Sequence, residues 1–146
     1  MYQRVGTFRG PTRALAGRYS LIGLDQAATG YGSTSDRHAR VKELFSPEVA
    51  HLFPGEWPYS MVAVVMTNGS IPPHRDAPLR RGFQRYHVIL QTNENCWNYH
   101  DGEWAQLKEG GIYTMDCTKT HAAINWGAEP RVHLVIDAAA FCPEEL

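Results

Sequence analysis

The stretch GIYTMDCTKTHAAINWGAEPRVHLVIDA, residues 111–138, decides the fold, because short apolar runs alternate in it with turn residues. The runs IYTMD, HAAINW and RVHLVIDA each have the length of a strand, and Gly127 and Pro130 separate the last two. None of the three runs is followed by the long helical segment that a parallel crossover connection needs. We therefore predict successive short strands without βαβ alternation for this part of the chain.

The same alternation of short apolar runs and turn residues continues upstream of this stretch. The runs YSMVAVVMT at 59–67 and FQRYHVILQ at 83–91 are predicted strands. The run CWNYHDGEWAQL at 96–107 is a predicted hairpin that turns at Asp101-Gly102. About seven short strands without βαβ alternation predict a mainly β fold, with either a sandwich or a jelly-roll architecture.

Upstream of residue 57 the sequence pattern is mixed and no longer mainly that of strands. Residues 1–35 predict short strands and loops, because their glycines follow no sustained period. Residues 36–53 predict helix, because apolar residues recur there at three- and four-residue steps. Within this segment Ser46-Pro47 predicts the start of a second short helix, with serine as the N-cap and proline at the first helical position.

These segments predict one domain over residues 1–146. Its variable part, at 1–57, is expected to pack short helices on the outside of one sheet. A β-barrel core is expected at 58–143.

Composition excludes some function classes and bears on location. The net charge is −1, from 14 basic and 15 acidic residues, so we expect no strong attraction to nucleic acid or to an anionic membrane. No apolar run approaches the roughly 18–20 residues of a membrane span. The three cysteines form no CxxC motif, and no secretory signal is recognisable. These features predict free thiols and a cytoplasmic location.

A metal site is predicted from two histidines and a carboxylate. His74 and Asp76 follow a predicted turn at Pro72-Pro73. In an extended backbone these two residues point the same way and Arg75 points away. His121, at the start of a predicted strand, is the candidate third ligand, since a barrel brings distant strands side by side. Two histidines and one carboxylate leave three positions of an octahedral ion open, which suits Fe(II) that binds a bidentate cosubstrate and O2.

Three further residues are candidate cosubstrate ligands. Arg131 lies ten residues after His121, and an arginine there can form a buried bidentate salt bridge with a carboxylate. Arg85 and His87 share one face of their strand. They either hold the second carboxylate of the cosubstrate or lie on the wet side of the sheet.

Four motifs resemble those of the aspartyl/asparaginyl β-hydroxylase family of Fe(II)/2-oxoglutarate oxygenases. They are IPPHRD, RYHVIL, GIYTMDCTKTHAAINWG and PRVHLVID, and the resemblance covers about residues 59–143. It implies a double-stranded β-helix, a jelly-roll or cupin-like barrel. It also implies metal-binding histidines at His74 and His121, and cosubstrate contacts from Arg85, His87 and Arg131.

The chain also departs from the family pattern. Some members lack the metal carboxylate, whereas Asp76 here completes a triad. The N-terminal third shows no resemblance, and substrate pockets often lie in such variable segments. The aspartyl substrate of the family therefore does not transfer to this chain.

The resulting expectation is a 2-oxoglutarate-dependent dioxygenase that uses Fe(II) and O2 to hydroxylate a C–H bond. Its substrate would be a small molecule or a peptide, with an amino acid or a protein side chain favoured by family analogy. One alternative is another cupin-type metalloenzyme, which would not need Arg131. The other is a non-enzymatic β-sandwich binding module with structural histidines. A homodimer is left open.

Overall fold

The computed structural model describes residues 1–144 and contains two antiparallel sheets. The larger sheet has seven strands in the spatial order β1 (Gln3–Thr7), β9 (Gly111–Thr114), β6 (Gln84–Gln91), β11 (Arg131–Ala138), β4 (Tyr59–Val65), β3 (Tyr31–Ser33) and β2 (Asp25–Gln26). The smaller sheet has the order β5 (Gly69–His74), β10 (His121–Asn125), β7 (Cys96–His100) and β8 (Glu103–Ala105). The two sheets face each other as a jelly roll, which confirms the predicted fold class.

Strand β11 forms the centre of the larger sheet. It pairs with β4 on one side and β6 on the other, and all eight of its residues are buried. Its side chains alternate between two different environments. Val132, Leu134 and Ile136 belong to the main apolar core, whereas Arg131 and His133 face the space between the sheets. This alternation is the period of two that an extended strand imposes.

The main apolar core lies on the outer side of the larger sheet, where the helices cover it. The helices are α1 (Thr12–Ala16), a 3-10 helix (Gly17–Leu21) and α2 (His38–Val49). Val41, Phe45 and Val49 of α2 are fully buried in the same cluster as Val62 and Val64 of β4. The prediction that N-terminal helices pack outside one sheet is confirmed. Neither α-helix among residues 1–144 has the length and apolarity to cross a membrane.

Two local predictions for the helical part are wrong. Pro47 does not begin a second helix; it lies inside α2, whose buried face continues across it from Phe45 to Val49. Proline removes one helical hydrogen bond, and its position on the exposed side keeps that loss out of the core. Residues 1–35 contain α1 and the 3-10 helix in addition to the predicted short strands.

Strand β5 is one of the four strands by which the observed eleven exceed the predicted count of about seven. Pro72 and Pro73 were predicted to form a turn, yet both lie inside β5. They are tolerated because β5 is an edge strand, so only one of its sides has a partner, in β10. The other extra strands, β1, β2 and β3, come from the N-terminal part and extend the larger sheet at both ends.

The hairpin between β7 and β8 is confirmed. Asp101 and Gly102 form its turn, with φ angles of 47° and 93°. Two successive positive φ values match the right-handed twist of the strands, and aspartate-glycine is a favoured pair for such a turn.

Candidate metal centre

The side chains of His74, Asp76 and His121 converge between the two sheets. His74 ends β5 and His121 begins β10, and the two are paired across the ladder, with ring centroids 4.1 Å apart. The carboxylate of Asp76 lies 3.2 Å from Nε2 of His121 and 3.7 Å from Nε2 of His74. One candidate ligand atom from each residue therefore lies within 4.8 Å of the others. The structure brings together the three residues that the sequence singled out.

Both imidazoles are oriented by the backbone. Nδ1 of His74 lies 2.9 Å from the carbonyl oxygen of Pro72, and Nδ1 of His121 lies 2.8 Å from that of Lys119. A carbonyl oxygen only accepts hydrogen bonds, so Nδ1 carries the proton in each neutral ring. The lone pair then lies on Nε2, on the side of Asp76, and this arrangement is common for histidines that bind metals.

Asp76 is available as an anionic ligand. When the His121 ring is protonated, its hydrogen bond to Asp76, more than the charges of Arg85 and His74, holds the pKa of Asp76 below its usual range despite partial burial. The carboxylate is therefore ionised at neutral pH. The backbone N–H of Asp76 donates to the carbonyl oxygen of Cys117 at 2.9 Å, which ties this segment to the loop before β10.

Arg85 and His87 share one face of β6, as predicted, and this face borders the space between the sheets, while Tyr86 points into the main core. The guanidinium of Arg85 donates from Nε and Nη2 to both oxygens of Asp137, at 2.8 and 3.0 Å. Its Nη1 donates to Oδ2 of Asp76 at 3.1 Å. Arg85 is thus engaged by two carboxylates.

Arg131 is a buried cation that lacks a counter-ion among residues 1–144. Its residue is 4 % exposed, and its Nη2 donates to Oδ1 of Asn98 at 3.0 Å. Its Nε has no hydrogen-bond partner, and no carboxylate within residues 1–144 forms an ion pair with it. Burial lowers the pKa of Arg131. A desolvated charge without a partner is costly, so this position favours an anionic ligand.

His87 and Tyr2 lie near Arg131. Nδ1 of His87 is 3.2 Å from Nδ1 of His133, and Nε2 of His87 is buried without a partner. Burial, with the charges of Arg131 and Arg85, lowers the pKa of His87 to about 3, so the ring is neutral at pH 7. The ring of Tyr2 packs at 6.5 Å from that of His87.

A single cavity connects these groups. It has a volume of about 320 Å³ and lies between the sheets. Its lining includes the three candidate metal ligands together with Arg85, His87 and Arg131. All six site residues predicted from the sequence therefore border one space. The cavity is also bordered by Tyr31, Tyr59 and Met61, which the sequence analysis did not select.

Other contributors to the site were missed. Asp137 belongs to the inward face of β11, and Asn98 to that of β7. His100, the residue before the hairpin turn, is 3 % exposed, and its Nε2–H donates to the carbonyl oxygen of Asp116 at 2.8 Å. The signal was the alternation on β7, where Asn98 and His100 point inward. Tyr2 gave no signal, since it reaches the cavity only through the pairing of β1 with β9.

The fold and the site define a jelly-roll protein with a two-histidine, one-carboxylate cluster beside an unpaired buried arginine. Residues 33–140 match the family model described as aspartyl/asparaginyl beta-hydroxylase. The chain belongs to this family, and the resemblance noted from its motifs is confirmed.

One curated relative is the L-proline cis-4-hydroxylase of Rhizobium meliloti (strain 1021). It is 34% identical over 83 residues, which are 56% of this chain and 30% of that protein. The chain therefore matches less than a third of the length of this relative.

Solved structures support the fold. The non-heme alpha ketoglutarate dependent epimerase SnoN from nogalamycin biosynthesis aligns with a TM-score of 0.61 and 15% identity, over 93% of this chain and 75% of that one. A Pseudomonas putida prolyl-4-hydroxylase aligns with a TM-score of 0.56 and 12% identity, over 99% and 93% of the two chains. At these identities the likeness shows the fold alone.

Proposed function

We propose that this protein is an Fe(II)- and 2-oxoglutarate-dependent dioxygenase that hydroxylates a C–H bond of an amino acid or of a protein or peptide side chain. The observation that carries the proposal is the pairing of two sites in one cavity. A cluster suited to a metal ion shares that space with Arg131, a buried cation that has no counter-ion in the described part of the chain. Membership of the hydroxylase family supports the same reaction class.

The donor set fits ferrous iron. In their neutral form His74 and His121 offer the lone pairs of Nε2, and Asp76 offers an ionised carboxylate. These three side chains would hold Fe(II) and leave coordination positions for other ligands. When bound, the iron supplies O2 activation coupled to the oxidative decarboxylation of 2-oxoglutarate to succinate and CO2.

Arg131 is suited to bind the far carboxylate of 2-oxoglutarate. Asn98 holds one side of its guanidinium, and Nε remains free to donate. Neutral His87 adds the buried, unpartnered Nε2, which can donate or accept according to its tautomer. Because these groups are already buried, little reorganisation is needed when the anion binds, and charge-assisted hydrogen bonds of this kind are strong.

The rest of the cavity wall suits an organic substrate. Tyr31 and Tyr59 offer hydroxyl groups, and Met61 offers an apolar surface, on strands β3 and β4. An amino-acid substrate is supported by the relative named for L-proline and by the family named for aspartyl and asparaginyl residues. A cytoplasmic location agrees with the three free cysteines, and a homodimer remains part of the proposal.

The proposal is tested by calorimetry and by succinate release. Protein loaded anaerobically with Fe(II) should bind 2-oxoglutarate, and addition of O2 should yield succinate. A panel of free amino acids, including L-proline, and of aspartyl and asparaginyl peptides should contain a compound that accelerates the release. His74→Ala serves as the control that removes metal binding. Absence of 2-oxoglutarate binding to metal-loaded protein would refute the proposal.

A further inference from the structure

We infer that Arg85, held by Asp137, is a positioning residue that fixes the carboxylate of Asp76 for metal binding. We call these two residues the Arg85–Asp137 clamp. The inference rests on the proposed metal site. It assigns Arg85 a different task from the cosubstrate contact that the family resemblance implies for this position.

Asp76 needs such support because it stands outside the β-ladder. The pairing between β5 and β10 ends at His74 and His121, and the backbone from residue 75 to 83 forms neither helix nor strand. The side chain of Asp76 is 32% exposed. A carboxylate on an irregular, partly exposed segment samples several rotamers. Metal binding selects one of them, and the loss of the others costs conformational entropy.

The clamp has the rigidity that Asp76 lacks. Arg85 and Asp137 are paired residues of β6 and β11, both inside the larger sheet. The two parallel hydrogen bonds between them, at 2.8 and 3.0 Å, hold the plane of the guanidinium. The side chains are only 15% and 7% exposed, so water competes weakly for these bonds.

The free edge of the guanidinium is directed to one oxygen of Asp76. Nη1 donates to Oδ2 at 3.1 Å. The other oxygen, Oδ1, has no hydrogen bond within residues 1–144 and lies 3.7 Å from Nε2 of His74. The carboxylate is therefore oriented by one oxygen while the other retains its lone pairs for a cation. Partners of this kind around metal ligands typically change metal affinity by roughly 10–100-fold.

The clamp also separates the tasks of the two inward residues of β6. Arg85 uses three of its five N–H groups on Asp76 and Asp137. His87 retains an unpartnered Nε2 toward the cavity. Arg131, which has a free Nε and no ion pair, is then the cation available for the cosubstrate.

The test measures two affinities on the same variants. Mn(II) affinity is determined by electron paramagnetic resonance without cosubstrate, and 2-oxoglutarate affinity by calorimetry at saturating Mn(II). Arg85→Gln and Asp137→Asn should each weaken Mn(II) binding by about tenfold or more and change 2-oxoglutarate affinity by less than about threefold. Arg131→Gln is the matched control and should show the reverse pattern.

Two further variants separate positioning from general destabilisation. In an Asp76→Ala background, Arg85→Gln should cause no additional loss of Mn(II) affinity, because the group it positions is absent. Arg85→Lys keeps the charge but not the fork, so its Mn(II) affinity should lie between those of wild type and Arg85→Gln. Thermal unfolding identifies any variant that fails to fold. The double variant Arg85→Gln/Asp137→Asn, which leaves no unpaired charge within the clamp, should fold and still bind Mn(II) weakly.

The outcomes distinguish the clamp from the proposed function. Wild-type protein that binds neither Mn(II) nor 2-oxoglutarate contradicts the proposed function itself. Wild-type binding of both, with unchanged Mn(II) affinity in Arg85→Gln and in the double variant, overturns the clamp alone. Loss of 2-oxoglutarate affinity in Arg85→Gln at unchanged Mn(II) affinity would return Arg85 to the role of a cosubstrate ligand.

Discussion

The two faces of the larger sheet differ in what they do for the protein. The outer face is packed against helices by fully buried residues such as Val88 and Leu134. The inner face carries Arg131, His133 and Asp137, which are equally buried but polar. The same strands supply both faces. The outer face therefore contributes most of the stability. The buried polar groups of the inner face lower the stability and serve binding.

The largest expected effect comes from removing a metal ligand on the inner side. His121→Ala should reduce succinate formation below detection, because two of the three ligands cannot be expected to retain the ion. The unfolding free energy of the metal-free protein should change by about 1 kcal/mol or less, since no apolar packing is lost. Urea unfolding and a succinate assay measure the two effects. A loss of stability as large as that of an outer-face variant would contradict the comparison.

The converse change is made on the outer face. Leu134→Ala should lower the unfolding free energy by about 2–5 kcal/mol, because it leaves a cavity in a fully packed core. Mn(II) affinity of the folded fraction should stay within about threefold of wild type. Urea unfolding and a metal titration at low temperature provide the measurements. A strongly weakened metal site would show that the two faces are coupled.

A substitution of Arg131 tests the part of the inner face that is proposed to bind 2-oxoglutarate. Arg131→Ala should weaken 2-oxoglutarate binding by about 10–150-fold, corresponding to the roughly 1.5–3 kcal/mol of a hydrogen bond to a charged group. Mn(II) affinity should be unchanged, because Arg131 contacts none of the candidate ligands. Calorimetry at saturating Mn(II) measures the effect. Equal losses for the metal and the cosubstrate would argue against a separate carboxylate subsite.

The buried histidines of the inner face predict a pH dependence of stability. Burial lowers the pKa of His133 well below its ordinary value of about 6.5. In mild acid His133 therefore binds a proton in the unfolded chain and stays neutral in the native protein. Stability contributed by the neutral ring is complete above pH 6.5 and is lost as the pH falls below it. His133→Gln should therefore reduce the slope of unfolding free energy against pH, between pH 6 and 5, by about 1.4 kcal/mol per pH unit. Identical slopes in urea unfolding would contradict this.

The smallest effect is expected at Tyr2, which packs beside His87 and His100 near Arg131. Tyr2→Ala should enlarge this end of the cavity. The ratio of the dissociation constants of 2-oxoadipate and 2-oxoglutarate, which differ by one methylene group, should then fall by about tenfold. Tyr2→Phe, which keeps the ring, should leave that ratio unchanged. The ratio of the two dissociation constants is the measurement. An unchanged ratio in Tyr2→Ala would show that Tyr2 does not limit the length of the cavity.

Much of the architecture was predictable because strand periodicity is a local property. The alternation in RVHLVIDA assigns each residue to one face without any knowledge of its neighbours, and the structure confirms that assignment. Predictions went wrong where an element depends on its surroundings. Pro72 and Pro73 form part of a strand only because β5 lies at a sheet edge. Pro47 continues a helix only because it lies on the exposed side.

The same distinction between local pattern and tertiary surroundings applies to the residues of the site. The spacing of His74, Asp76, His121 and Arg131 was readable along the chain, because each residue belongs to a strand end or a short motif. The partners of Arg85 were not readable. Asp137 lies 52 residues away and meets Arg85 only through the register between β6 and β11.

The strand character, the two faces of β11 and the identity of the candidate metal ligands could thus be predicted from the sequence. They follow from residue chemistry and from a period of two, which are local. The pairing of His74 with His121 and the contact of Arg85 with Asp76 depend on the tertiary structure. Pairing register and strand order bring together residues that are distant along the chain, and no local pattern encodes them.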